Sequence, residues 1–151
     1  MFSLVLAGKG ESSITLGDSN YANVHKGFDY GEFDLTSEDG WAINSPGIML
    51  GDTKITTGTS LFSTTSSFIE LDQSSYEVWK TQLLKLEPTL DCDSTYYCGI
   101  SDKTCAQLAD TIPDLKIEAG DSYAYQMPFL TWSNDGWSDA PAGCSILVSE
   151  V

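Results

Sequence analysis

Apolar residues along this chain recur mostly at alternate positions, in short runs separated by glycine, aspartate and proline. Alternation over such short runs is typical of β-strands that bury one face. The pattern predicts strands over 2–7, 12–17, 27–35 and 144–148, with a further strand starting at 41–43. It also predicts two hairpins, 47–51 with 53–55 and 114–118 with 122–127. The chain is therefore predicted to be mostly β.

One segment has helical spacing instead. Its apolar residues, three or four positions apart, are Tyr76, Trp79, Leu83 and Leu86. Ser74 and Glu77 have the spacing of a capping box, and Pro88 ends the run. The pattern predicts an amphipathic helix near 75–87 with its aromatic stripe in the core, and a shorter helical turn over 104–109.

The length of 151 residues fits one domain, with enough chain for a real core. Twenty-two acidic residues stand against 7 Lys and Arg, for a net charge of -15. Nucleic acids and anionic membranes require clustered basic residues, so the charge argues against both kinds of partner. No apolar run reaches membrane-spanning length, which predicts that the chain does not insert into a membrane.

The four cysteines lack the paired C-x2-C spacing of a zinc site, and the single histidine, His25, is remote from them. We therefore expect no metal and no cofactor. An even cysteine count in an acidic chain favours two disulfides and an oxidising compartment, either secreted or in the lumen of the endomembrane system. Cys92, Cys98, Cys105 and Cys144 allow three pairings, and spacing alone does not choose between them.

Several short motifs follow one another in a characteristic order. They are FSLVL at 2–6, SITLGD at 13–18, FDY at 28–30, WAI at 41–43, IMLG at 48–51, and Cys105 ahead of IPDL at 112–115, with Cys144 further on. Individually they are weak, but their order and spacing resemble the C-terminal lobe of a pepsin-like (A1 family) aspartic peptidase. The resemblance covers nearly the whole chain.

The resemblance implies a single, incomplete C-terminal lobe over residues 1–151, from a bilobal β fold with a cleft between the lobes. It implies endopeptidase chemistry in acidic or secretory compartments. It also implies a Cys105–Cys144 disulfide, which leaves Cys92–Cys98 as an extra local bond.

The family places a catalytic aspartate in a loop of the form hydrophobic-hydrophobic-D-T/S-G-T/S-S, and two registers compete for it here. The favoured register takes LFSTTSSFIEL at 61–71, because it places the following helix correctly. Its degenerate loop consists of Ser63, Thr64, Thr65, Ser66 and Ser67, with Ser63 at the aspartate position and Thr65 at the glycine position. The alternative register takes Thr56, Thr57, Gly58, Thr59 and Ser60; it keeps the glycine but comes soon after Trp41.

Both registers predict that no catalytic residue is present. Aspartic peptidases need two aspartates that share a proton around one water, and a hydroxyl does not carry charge near pH 5. Asp52 and Asp72 are too far off in register, and no Asp-Thr/Ser-Gly occurs in the chain. We expect a catalytically inactive pepsin-fold module that acts as a binding or structural component. The alternative is the C-terminal half of a functional aspartic endopeptidase, completed by another chain or segment.

Partners are expected on the same grounds. The family's N-terminal lobe and closing strands do not appear in this sequence, so we expect a fragment or processed product whose unpaired edges are covered by a protein partner. A peptide in the relic cleft is a further expectation, since backbone hydrogen bonds supply much of the affinity in such clefts.

Overall fold

The computed structural model describes residues 2–5, 13–17, 33–36, 40–63, 65–92, 97–119, 123–137 and 140–151. Within these ranges the chain is mostly β, as predicted. It divides into two compact units, Met1–Glu32 and Phe33–Val151.

The first unit contains an antiparallel pair of strands, Phe2–Val5 (β1) and Ser13–Leu16 (β2), with Phe2 opposite Leu16. Both predicted strands are present and slightly shorter than expected. The predicted strand at 27–35 lies outside the described residues up to 32, as do His25 and the FDY motif.

The second unit contains all the remaining elements. In chain order they are the strands Ala42–Leu50 (β3), Thr53–Leu61 (β4) and Ile69–Leu71 (β5), the helix Gln73–Leu86 (α1), the strand Gly99–Ile100 (β6), the helix Cys105–Leu108 (α2), the strands Leu115–Ala119 (β7) and Tyr123–Met127 (β8), a 3-10 turn at Phe129–Thr131, and the strands Ser133–Trp137 (β9), Ala140–Ile146 (β10) and Val148–Glu150 (β11). No helix in the described ranges is long and apolar enough to cross a membrane.

The largest sheet of this unit has four antiparallel strands in the order β4-β3-β7-β8. Both predicted hairpins are confirmed, with β3 turning into β4 at Gly51 and Asp52. Gly51 has a φ of 58°, a left-handed conformation that glycine adopts without steric cost. The first hairpin is longer than predicted, because β4 continues through polar residues up to Leu61.

The described part of this unit also contains two smaller sheets. Strands β6, β10 and β9 form an antiparallel sheet with β10 in the middle. Strands β5 and β11 form a parallel pair, with Ile69 opposite Val148 and Leu71 opposite Glu150. The parallel pair joins the segment before α1 to the far end of the chain.

The main helix begins earlier than predicted. It covers Gln73–Leu86 instead of 75–87, and its N-cap is Asp72 instead of Ser74. The Asp72 carboxylate accepts the backbone N–H groups of Ser74 and Ser75, and a charged carboxylate is a stronger acceptor than the hydroxyl of the predicted capping box. At the other end, Glu87 caps the helix just before Pro88.

The predicted apolar face of α1 is buried. Tyr76, Trp79 and Leu83 belong to one core cluster that also includes residues from Leu50 in β3 to Val148 in β11. Trp79 is 1% exposed, and its ring centroid lies 5.4 Å from that of Tyr76. Burial of this face fixes α1 against β4, β5 and β11.

The four cysteines form two disulfides, Cys92–Cys98 and Cys105–Cys144. This is the pairing that the resemblance implies. The second bond ties α2, whose predicted position at 104–109 is confirmed, to the central strand β10.

A partly buried ion pair stabilises the end of α1. The Lys103 ammonium lies 2.7 Å from a carboxylate oxygen of Glu87, which is 7% exposed. This contact, followed by a hydrogen bond from the Thr89 hydroxyl, lowers the pKa of Glu87. Because the folded-state pKa is lowered, the pair stabilises the fold above the ordinary carboxyl range and loses that effect as the pH falls.

Candidate functional site

A groove of about 650 Å³ runs beside β4 in the second unit. Its walls are β4, the connection that follows it, and β5, with residues from β3, β7 and β8 also in contact. The lining residues are Ser45, Ile48, Thr56, Thr57, Gly58, Thr59, Ser60, Leu61, Phe62, Ser63, Ser66, Phe68, Ile69, Glu70, Leu71, Asp72, Ile117, Met127 and Val151. Residues from both registers of the degenerate motif therefore lie along one groove.

The alternative register does not lie in a loop. Residues 56–60 are extended within β4 and pair with β3; for example, Thr59 lies opposite Asn44 and Ser60 opposite Ile43. Gly58 has a φ of 130° where a bulge interrupts the pairing with β3. The glycine therefore allows the backbone conformation of this bulge. The threonine-rich composition of this segment is that of a β-strand.

The favoured register lies in the irregular connection between β4 and β5. Its hydroxyls bond to one another and to nearby backbone: Ser63 Oγ is 2.7 Å from Thr65 Oγ1, and the Thr65 backbone N–H donates to Ser63 Oγ at 3.2 Å. The Phe68 N–H donates to the Ser66 hydroxyl at 3.1 Å. Ser67 is exposed, and Thr64 lies outside the described residues. These contacts are typical of turns that serine and threonine side chains stabilise.

The Asp72 carboxylate, which follows this loop and β5, is occupied by hydrogen bonds at the start of α1. Its two oxygens accept the backbone N–H groups and the hydroxyls of both Ser74 and Ser75. The Ser74 hydroxyl, followed by the hydroxyl and N–H of Ser75, lowers the pKa of Asp72 from 3.8 to about 2. Asp72 is therefore an ionised helix cap at the acid pH where an aspartic peptidase needs a carboxyl group that retains its proton.

Asp52 does not lie near the loop at 63–67 either. It lies in the turn before β4, whereas Ser63 follows the other end of that strand. At the rise of a β-strand, the two ends are separated by roughly 25–30 Å. Among the described residues that line the groove, Glu70 and Asp72 are the charged ones.

Two features of this site were not expected from the sequence. One is the role of Asp72 as the N-cap of α1, for which the order Asp-x-Ser-Ser is a recognisable signal. The other is the exposure of Leu61 and Phe62, the apolar pair before the loop, at 65% and 55%, since large apolar side chains are more often buried. Within the described ranges, no group of three or more His, Cys, Asp or Glu residues is arranged to hold a metal ion. No protein-family model and no curated protein sequence matches the chain.

Proposed function

We propose that this chain is a pepsin-like lobe without peptidase activity of its own, and that it acts as a binding or structural component of a larger protein or complex. One observation carries the proposal. The loop at 63–67, to which the resemblance assigns the catalytic aspartate, offers only hydroxyl groups to the groove, through Ser63 and Ser66.

Three features support the assignment to this type of lobe. The chain is mostly β, the helix α1 follows directly after the loop and β5, and Cys105 is bonded to Cys144. The two disulfides also support a secreted or lumenal location, because such bonds persist in oxidising compartments.

The chemistry explains why activity is lost. Peptide hydrolysis by an aspartic peptidase requires one carboxylate as base and a second, protonated carboxyl group that polarises the scissile carbonyl. Ser63 does not ionise in this range, and its Oγ already contacts the hydroxyl of Thr65. The Asp72 carboxylate remains ionised and bonded to the helix terminus. Neither residue replaces the missing acid.

The proposal predicts no acid peptidase activity. We expect no cleavage of an unfolded protein substrate between about pH 3 and pH 7, the range over which paired carboxyl groups are active, and no binding of pepstatin. The assay is run on the purified chain and on the complex recovered with it from its source, with active pepsin as the positive control.

The Ser63→Ala variant is the matched control. Cleavage that persists in this variant and that pepstatin does not inhibit comes from a contaminating peptidase and leaves the proposal intact. Pepstatin binding, or cleavage by the chain or its complex that pepstatin abolishes, would support the alternative of a functional half-enzyme and overturn the proposal.

A further inference from the structure

We propose that the outer edge of β4 and the adjoining groove bind an extended, basic peptide segment of a partner protein by strand addition. The inference rests on the proposed binding role and specifies its partner. It places the peptide main chain along β4 instead of across the hydroxyl loop.

The hydrogen-bonding pattern of the hairpin identifies the free groups of β4. The Phe62 N–H donates to the Trp41 carbonyl at 2.9 Å, which makes these two residues a hydrogen-bonded antiparallel pair. Such pairs alternate along an antiparallel ladder, and Thr59 and Leu61 belong to the intervening pairs, opposite Asn44 and Ala42. Their N–H and C=O groups therefore point away from β3.

No strand pairs with that outer edge among the described residues, where β4 is the terminal strand of its sheet. An unpaired row of N–H and C=O groups is a template for a further strand. The exposed part of the edge is also the part that borders the groove, because residues 56–61 all line it.

The groove offers places for the side chains of an added strand. Leu61 and Phe62 line it and are 65% and 55% exposed. Ile69, Ile117 and Met127 also line it and are partly buried. In strand addition the main-chain bonds supply affinity while pockets receive alternate side chains, so apolar residues are expected at every second position of the peptide.

The charge of the groove indicates which residues alternate with the apolar ones in the peptide. Of the described residues that line the groove, Glu70 and Asp72 are charged and both are acidic, and the pKa of Asp72 is lowered to about 2. The whole chain carries a net charge of -15. A second copy of this chain would be repelled by that charge, whereas a basic segment is attracted to it. The occupant is therefore a strand in which apolar residues alternate with lysine or arginine.

A synthetic peptide of alternating valine and lysine tests the proposal by fluorescence anisotropy. We expect saturable binding of this peptide. The valine–glutamate counterpart should bind at least about tenfold more weakly, because like charges oppose association. The valine–lysine peptide N-methylated on one edge should also bind at least about tenfold more weakly, since it lacks donors for strand pairing. Equal binding of the methylated peptide would mean charge attraction alone and would overturn strand addition.

Matched variants of the protein locate the site. Leu61→Ser is expected to weaken binding at least about fivefold, as truncation of an interface anchor does, while Leu130→Ser, at a similarly exposed leucine outside the groove, leaves it unchanged. Glu70→Gln is expected to weaken binding, and Glu77→Gln on the exposed face of α1 removes the same charge without that effect. Equal effects within either pair would contradict the assigned groove.

Mass spectrometry of the peptide after each titration separates this inference from the proposed function. An intact, unbound peptide would overturn strand addition and leave the inactive lobe in place. A peptide that is bound and then cut would overturn the inactive lobe and leave the docking site in place.

Discussion

Replacing both Cys105 and Cys144 with alanine is expected to lower the free energy of unfolding by about 4 kcal/mol, from the chain entropy that this cross-link removes from the unfolded state. The bond spans 39 residues and ties α2 to β10. Both sulfur atoms belong to buried residues, so the bond also fixes two core elements against each other. Denaturant unfolding monitored by tryptophan fluorescence measures the loss.

The second disulfide is the matched control for this prediction. Cys92 and Cys98 are also buried but are only 6 residues apart, so the same entropy argument gives a loss of about 2 kcal/mol for the alanine pair. An equal or larger loss for the short loop would show that chain entropy does not determine the contribution of these bonds.

Truncation of Trp79 is expected to cost about 3–5 kcal/mol of stability, because Trp79→Ala removes a buried aromatic side chain and leaves a cavity. Trp79 lies in α1, is 1% exposed and belongs to the core cluster. The neighbouring Val78 is 42% exposed on the same helix, and its replacement with alanine is expected to change stability by about 0.5 kcal/mol or less. Thermal and denaturant unfolding of the two variants provide the comparison, and similar losses would contradict the burial of this helical face.

The indole nitrogen of Trp79 adds a finer comparison. It is buried without a hydrogen-bond acceptor among the described residues, whereas Trp132 Nε1 donates to the Met127 carbonyl at 3.3 Å. Trp79→Phe removes an unpaired donor, but Trp132→Phe leaves a carbonyl without its donor. We expect the Trp132 replacement to cost more, because a lost bond adds to the lost volume. The reverse order would mean that Trp79 Nε1 has an acceptor.

Local signals predicted the elements that local chemistry determines. The Gly51-Asp52 turn between alternating runs predicted the β3–β4 hairpin, and the spacing of Tyr76, Trp79 and Leu83 predicted the buried face of α1. The start of α1 was wrong because two caps were available within three residues. The capping-box pattern at Ser74 identified one of them, but the Asp72 carboxylate accepts the N–H groups of Ser74 and Ser75 and so begins the helix two residues earlier.

Other features depend on contacts between distant parts of the chain. Nothing near Ile69 indicates that it pairs in parallel with Val148, because parallel pairing requires a long connection and leaves no local mark. The two motif registers at 56–60 and 63–67 have similar composition, and only the ladder with β3 shows that the first is a strand. The assignment of the loop to a pepsin-like lobe stays a prediction, since it depends on the order of weak motifs.

Titration of the Asp72 carboxyl group by NMR tests the central claim most directly, because that claim requires the groove to lack a carboxyl group that can share a proton. We expect a single step with a midpoint near pH 2, below the ordinary value of 3.8. Since the folded-state pKa is lowered, the helix cap stabilises the protein above about pH 3.8 and loses this effect as the pH falls towards 2. A midpoint above the ordinary value, or a titration in two steps, would reveal a coupled carboxyl pair and contradict the account.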